Sequence, residues 1–166
     1  MNFHHMSDME KINMMVLTIS DTRDKKTDKS GQLIIDLLKN TNHRLAMYQI
    51  VRDDKEVIQN AIIEGCEDSK IDVIITNGGT GLSKRDVTYE TLNEIFEKPI
   101  PGYGELFRLL SYEEIGSAAM LSRACAGIAN NTIIFSTPGS TNAVKLAMEK
   151  LILPEIQHIV SEIRKD

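Results

Sequence analysis

From Ile71 to Thr76 the chain is apolar and β-branched, and immediately after it, at Asn77, it enters Gly78-Gly79-Thr80-Gly81. Apolar side chains at consecutive positions, not alternating ones, mark a strand buried on both faces, as in a parallel sheet covered by helices. A glycine-rich turn right after such a strand constrains the fold further. Ligands of open parallel sheets bind beyond the carboxyl ends of the strands, and this turn stands there.

The residues before it support the same architecture. Met14 to Ser20 reads as a buried strand, followed by a charged loop from Asp24 to Lys29. Ser30 is a candidate N-cap for a helix whose stripe is Leu33, Ile34, Leu37 and Leu38, and Asn40 to Asn42 ends it. A second strand spans Arg44 to Val51, and a second helix follows Asp53-Asp54 from Lys55 to Glu67, with Val57, Ile58, Ala61 and Ile62 at helical spacing. Strand, helix, strand, helix, strand in about sixty residues implies an α/β fold with a mostly parallel, doubly wound sheet.

The second half is more helical. Thr88 is placed as the cap of a helix through Phe96, which Lys98 to Gly102 breaks, and another helix runs from Tyr103 to about Leu110. Ser117 to Arg123 reads as a short apolar helix. Asn130-Asn131 between apolar runs, within Gly127 to Phe135, signals a hairpin and so an antiparallel strand. Thr137 to Ser140 turns the chain into a long last helix, which Pro154 should kink or restart.

At 166 residues the chain suits a single domain. Residues 12–166 are assigned to it, with 1–11 as a flexible polar leader whose His4-His5 pair forms no site. No apolar stretch reaches membrane-spanning length. A net charge of −5 argues against a nucleic-acid surface, while leaving room for a small anion beside a local cluster such as Lys84-Arg85. Two cysteines, Cys66 and Cys125, without CxxC spacing, fit a reducing, cytoplasmic setting.

The chemistry concentrates between Asn77 and Asp86. Glycines let backbone N–H groups converge on an anion, Thr80 and Ser83 add donors, and Lys84-Arg85 add charge. The loop is not a Walker A motif, since Ser83 stands where its second glycine belongs, and Lys84 occupies the third glycine position of G-x-G-x-x-G. A lone glycine pair would be read as a tight turn. Three glycines among four residues, then a hydroxyl, two cations and an acid, point to a ligand loop. Asp86 is a candidate Mg²⁺ ligand, its alternatives being an ion pair with Arg85 or a cap near Thr88. Asp53 or Asp54 reaches the same edge, though one of them caps the helix at Lys55. Pro138-Gly139-Ser140-Thr141 is a second strand-turn-helix junction that offers helix N-terminal amides to an anion, although taken alone it reads as ordinary turn chemistry, and Ser20-Asp21 stands at the end of the first strand on the ligand edge. Arg123, after an apolar face, needs a phosphate or carboxylate partner. His43, His158 and the cysteines stand far from these motifs. Positioning and charge neutralisation, as in phosphoryl or nucleotidyl transfer, suit the inventory.

Taken in order, Thr18-Ile19-Ser20-Asp21-Thr22-Arg23, Asp28-Lys29-Ser30-Gly31, Gly78 to Gly81 with Arg85-Asp86-Val87-Thr88, Pro101 to Glu105, Leu121-Ser122-Arg123 with Ala126-Gly127, and Pro138-Gly139-Ser140 resemble the molybdenum cofactor biosynthesis proteins of the MoaB/Mog type. These molybdopterin adenylyltransferases are related to the gephyrin G domain, and the likeness spans about residues 12 to 165. Ser140-Thr141 follows the MoaB branch. Leu82 to Asp86 departs from the loop of the competence-damage-like family, which argues against pyridine-nucleotide salvage.

The resemblance implies a single-domain, three-layer α/β/α fold and a homotrimer or a dimer of trimers working beside other cofactor-biosynthesis enzymes. It implies Mg²⁺-dependent transfer of AMP from ATP to the terminal phosphate of molybdopterin, releasing pyrophosphate. Asp86 and Asp53 would be the catalytic and metal-holding acids. Gly78, Gly79, Thr80, Gly81 and Ser83 would bind the nucleotide phosphates, with Pro138, Gly139 and Ser140 closing that side and Ser117 and Arg123 near the pterin. The alternative is a non-catalytic molybdopterin-binding carrier.

Overall fold

The computed structural model describes residues 11–165. Apart from Lys11, the expected leader and its histidine pair lie outside them. The chain runs β1 (Asn13–Ile19), α1 (Lys29–Lys39), β2 (Arg44–Val51), α2 (Lys55–Glu67), β3 (Val73–Asn77), α3 (Thr88–Ile95), β4 (Lys98–Pro99), α4 (Pro101–Ile115), β5 (Cys125–Ala129), β6 (Thr132–Thr137), α5 (Thr141–Ala147) and α6 (Leu153–Ile163). A 3-10 turn at Gly116–Leu121 and a π turn at Met148–Ile152 complete it.

One six-stranded sheet has the order β2-β1-β3-β6-β5-β4. β2, β1, β3 and β6 are parallel, and β5 and β4 join antiparallel. The three central strands β1, β3 and β6 are buried almost throughout, which is why their sequences run apolar without alternation. Met14, Val16, Val73, Ile75, Ile133 and Phe135 face α1, α4, α5 and α6. Met15, Leu17, Ile19, Ile74 and Ile134 face α2 and α3. The fold is therefore three-layered, and the hairpin is present: Asn130 and Asn131 take φ of 48° and 62°, the two left-handed residues of a tight β5-β6 turn. Among the described residues no helix is long and apolar enough to cross a membrane.

Four local expectations need correction. Asp28, not Ser30, caps α1, its side chain accepting from the Gly31 amide, and Ser30 turns inward instead. α4 starts at Pro101 and runs to Ile115, since proline fits the first helical turn, where its missing N–H costs nothing. Val87 precedes α3, and the Thr88 hydroxyl donates to the Gly78 carbonyl (3.1 Å) instead of capping. The 117–123 segment is mostly the 3-10 turn, with Ala119 buried while Met120 and Leu121 are exposed. The last helix behaves as Pro154 dictates: the ring would strike the carbonyl four residues back, and the π turn before α6 widens the spiral there.

Candidate functional site

The carboxyl ends of β1, β2, β3 and β6 lie along one edge, and the four loops that follow meet there. Gly78 and Gly79 have φ of 103° and 72°, a region that side-chain-bearing residues rarely occupy. A Cβ on Gly78 would fall 2.1 Å from the Ile19 carbonyl oxygen, and one on Gly79 the same distance from the Thr88 hydroxyl. The loop after β3 thus lies flat between β1 and the start of α3. The Gly78 amide donates to the Thr137 carbonyl (3.0 Å), tying it to β6. Gly139 abuts it, a Cβ there standing 3.4 Å from the Gly78 Cα.

Three carboxylates surround this loop on the α2/α3 side. Asp54 is the N-cap of α2, accepting from the Glu56 and Val57 amides, so Asp53 is the acid left to face the loop. Asp53 Oδ1 would lie 3.3 Å from a Gly79 Cβ, and Asp86 Oδ2 2.8 Å from a Gly81 Cβ. Asp86 is held by Ser83, whose amide (3.1 Å) and hydroxyl (2.6 Å) both donate to Oδ2. Asp21 braces the group: Oδ1 accepts from the Asp53 amide (3.1 Å) and Oδ2 from Arg85 Nε (2.6 Å). The Arg85 hydrogen bond draws the Asp21 carboxyl below its ordinary pKa. Asp53 moves the other way. Burial first, then the charges of Asp21 and Asp86, raise its carboxyl above the usual range, with Arg85 and the Asp21 amide opposing in part.

A carboxylate with a raised pKa beside a second acid is a place where a cation relieves repulsion. Among the described residues no three metal-type side chains converge into a ready-made cage. Mg²⁺ needs none, because it is commonly held by one or two carboxylates, waters and substrate phosphates. Asp53 and Asp86, on either side of glycines that leave the space open, fit that requirement.

On the α1/α5 side the edge rests on a buried polar network. Asp28 is 1 % exposed, and its oxygens accept from the Thr18 hydroxyl (2.6 Å), the Tyr48 hydroxyl and the Gly31 amide (3.0 Å). Ser30 donates to Asn77 Oδ1 (2.8 Å), and Asn77 Nδ2 to Thr18 (2.9 Å). Arg23 ties the network to the second loop: Nη1 donates to Ser30 (2.6 Å) and sits 3.6 Å from Asp28, while Nη2 donates to the Gly139 carbonyl (2.8 Å). Sequence reasoning reached the segment containing Arg23 but gave that residue no role. The signal was its place just after β1.

Arg123 finds its partners within the protein. Its guanidinium donates to the Gly81 carbonyl (3.1 and 2.8 Å) and the Asp86 carbonyl (2.9 Å), pairs with Glu90, and lies over the Tyr89 ring. It clamps the glycine loop from beneath. Thr80 is 5 % exposed, Ser83 is committed to Asp86, and Ser140 caps α5 by accepting from the Ala143 amide (3.2 Å). Ser117 is exposed and lines a separate 310 Å³ depression with Arg108, Tyr112, Ala119 and Met120. Within one chain, then, Asp53, Asp86, the glycines, Pro138 to Ser140 and Arg123 come together, and Ser117 stands apart. Neither thiol is primed as a nucleophile: burial pushes Cys66 up to about 11 and Cys125 up to about 12.

Comparison with known proteins converges on one family. Residues 15–158 match the family model described as a probable molybdopterin binding domain. The molybdenum cofactor biosynthesis protein B of Bacillus subtilis (strain 168) is 55 % identical over 152 residues, covering 91 % of this chain and 89 % of that protein. A crystal structure of a molybdenum cofactor biosynthesis protein B superposes with a TM-score of 0.92 at 52 % identity, covering 95 % of this chain and 99 % of the other. The tungsten cofactor synthesizing protein MoaB from Pyrococcus furiosus gives 0.85 at 40 % identity, covering 94 % and 99 %.

Proposed function

The chain belongs to the molybdopterin-binding domain family of molybdenum cofactor biosynthesis, and from that premise we propose that it is a Mg²⁺-dependent molybdopterin adenylyltransferase. The observation that carries the proposal is the pair Asp53 and Asp86 flanking a glycine loop on the ligand edge, with no histidine or reactive thiol beside them among the described residues. The substrates supply both reacting groups. A terminal phosphate oxygen of molybdopterin attacks the α-phosphorus of ATP. The bond from that phosphorus to the bridging oxygen breaks, and its electron pair leaves with pyrophosphate.

The protein's part is to position and to neutralise. Gly78, its amide held by the Thr137 carbonyl, shapes the loop so that the amides of Gly79, Thr80 and Gly81 cradle the nucleotide phosphates, while Pro138, Gly139 and Ser140 close that side. Asp53 and Asp86 would hold Mg²⁺, which would offset phosphate charge. The pterin end lies toward Arg123, which fixes the loop, and Ser117. Incubation with molybdopterin, ATP and Mg²⁺ should yield pyrophosphate and adenylylated molybdopterin. Binding that ignores ATP and Mg²⁺, without product, would leave the carrier reading in its place.

A homotrimer or dimer of trimers is part of the proposal, as are the cytoplasm and neighbouring cofactor-biosynthesis enzymes as setting. It is supported by an exposed apolar row on α4, Leu106, Leu109, Tyr112 and Ile115, continued by Met120 and Leu121. Sedimentation of a monomer alone at micromolar concentration would refute the assembly. The depression holding Ser117 opens on that row, so assembly is also what would bring Ser117 near a ligand.

A further inference from the structure

Beside the ligand edge, on the α1/α5 side, a 560 Å³ open groove is lined by Lys25, Lys26, Asp28, Lys29, Gln32, Leu33, Asp36 and Thr141. All three lysines are exposed, and among the described residues none makes an ion pair. Lys25 Nζ rests 5.9 Å from the Tyr48 ring centroid. The acids lining the groove are already engaged. Asp28 is buried among its donors, and Asp36 accepts from Gln32 (2.9 Å) with Lys39 at 3.8 Å. Nearby, Asp24 accepts from the amides of Lys26 and Thr27. The groove therefore presents unpaired positive charge in a concave space.

Its place in the edge selects its ligand. Thr141 follows Ser140, and Gly139 just before is held by Arg23 and abuts Gly78, so one lining residue of the groove adjoins the Pro138-Gly139-Ser140 turn. On the other side stand Asp21, Asp53 and Asp86, which repel a multiply charged anion not shared with a cation. We propose that the Lys25-Lys26-Lys29 groove is a diphosphate subsite, taking the β- and γ-phosphates of the nucleotide and holding pyrophosphate before release. This rests on the adenylyltransferase reading for its place in the reaction. Lysines suit a group that must leave, because each is a mobile, well-hydrated point charge and not a rigid bidentate fork.

The test is calorimetric binding of inorganic pyrophosphate and of AMP, each with Mg²⁺, to the full chain and to the triple variant Lys25→Gln, Lys26→Gln, Lys29→Gln. Pyrophosphate affinity should fall by about tenfold or more while AMP stays within about twofold, and the Lys→Arg triple should restore it. Unchanged pyrophosphate binding overturns the proposal. So does an equal loss for AMP, which would make the groove a site for any phosphate, or failure of the arginine variant to rescue. Turnover is read separately. A wild-type protein that makes no adenylylated product yet shows the lysine-dependent pyrophosphate loss keeps the subsite and forfeits the reaction. Full turnover with lysine-independent pyrophosphate binding does the reverse.

Discussion

The two sides of the ligand edge hold charge in opposite ways. On the α1 side the acid, Asp28, is sealed from solvent and given a donor at each oxygen, while the charges left facing outward are lysines. On the α2/α3 side, Asp53 and Asp86 remain partly open, and Asp53 carries a pKa raised by burial and by its neighbours. A buried charge with all its partners supports the fold. A half-open charge short of a counter-charge is where a ligand completes the structure.

The sharpest way to break this comparison is Asp86→Asn. It should lower Mg²⁺-dependent turnover by about 10²–10³-fold without lowering thermal stability, measured by pyrophosphate release beside a melting curve. Full activity in that variant removes the acid from the mechanism. Gly78→Ala tests the frame that both sides share. With φ at 103° and the Ile19 carbonyl 2.1 Å from the new Cβ, it should cost about 2–4 kcal/mol in urea unfolding, and a loss well below that range means the turn is softer than its geometry implies. Arg23→Ala should cost about 1–3 kcal/mol, because it removes the donor to the Gly139 carbonyl and the cation beside buried Asp28, and Arg23→Lys should recover little of it.

The smallest effect is a matter of sign. Because the folded-state pKa of Asp53 is raised, its ionised form is unfavourable in the fold above that pKa. The penalty disappears as pH falls below the unfolded value. Asp53→Asn should therefore raise the melting temperature of the Mg²⁺-free protein by about 2 °C at pH 7 and leave it unchanged near pH 3. Added Mg²⁺ should stabilise the wild type and not the variant. A lower melting temperature for the variant at pH 7 would mean the carboxylate is stabilising, and the contrast between the two sides would fail.

Much of this was legible in the residues because it is local. β3 and its glycine loop are contiguous, the Asn130-Asn131 turn needs only two positive φ values, and parallel strands announce themselves by unbroken apolar runs. What was not legible depends on residues far apart in sequence. The tie between Asp53 and Asp54 was decided by which carboxylate turns back onto the α2 amides. Arg23 reaches Ser30, Asn77 and Gly139, which lie 7, 54 and 116 positions away, so no window of sequence contains its role. The partner that Arg123 required proved to be Glu90 together with carbonyls 37 and 42 positions off.

The placement of β6 between β3 and β5 has a kinetic consequence. The Gly78 amide waits for the carbonyl of Thr137, and the Arg23 side chain for that of Gly139, so the mouth of the site closes through contacts of very long sequence separation. Loop-closure entropy makes such contacts late in folding, after the local helices and the β1-β2 crossover have formed. During refolding, nucleotide binding should lag behind the recovery of helicity.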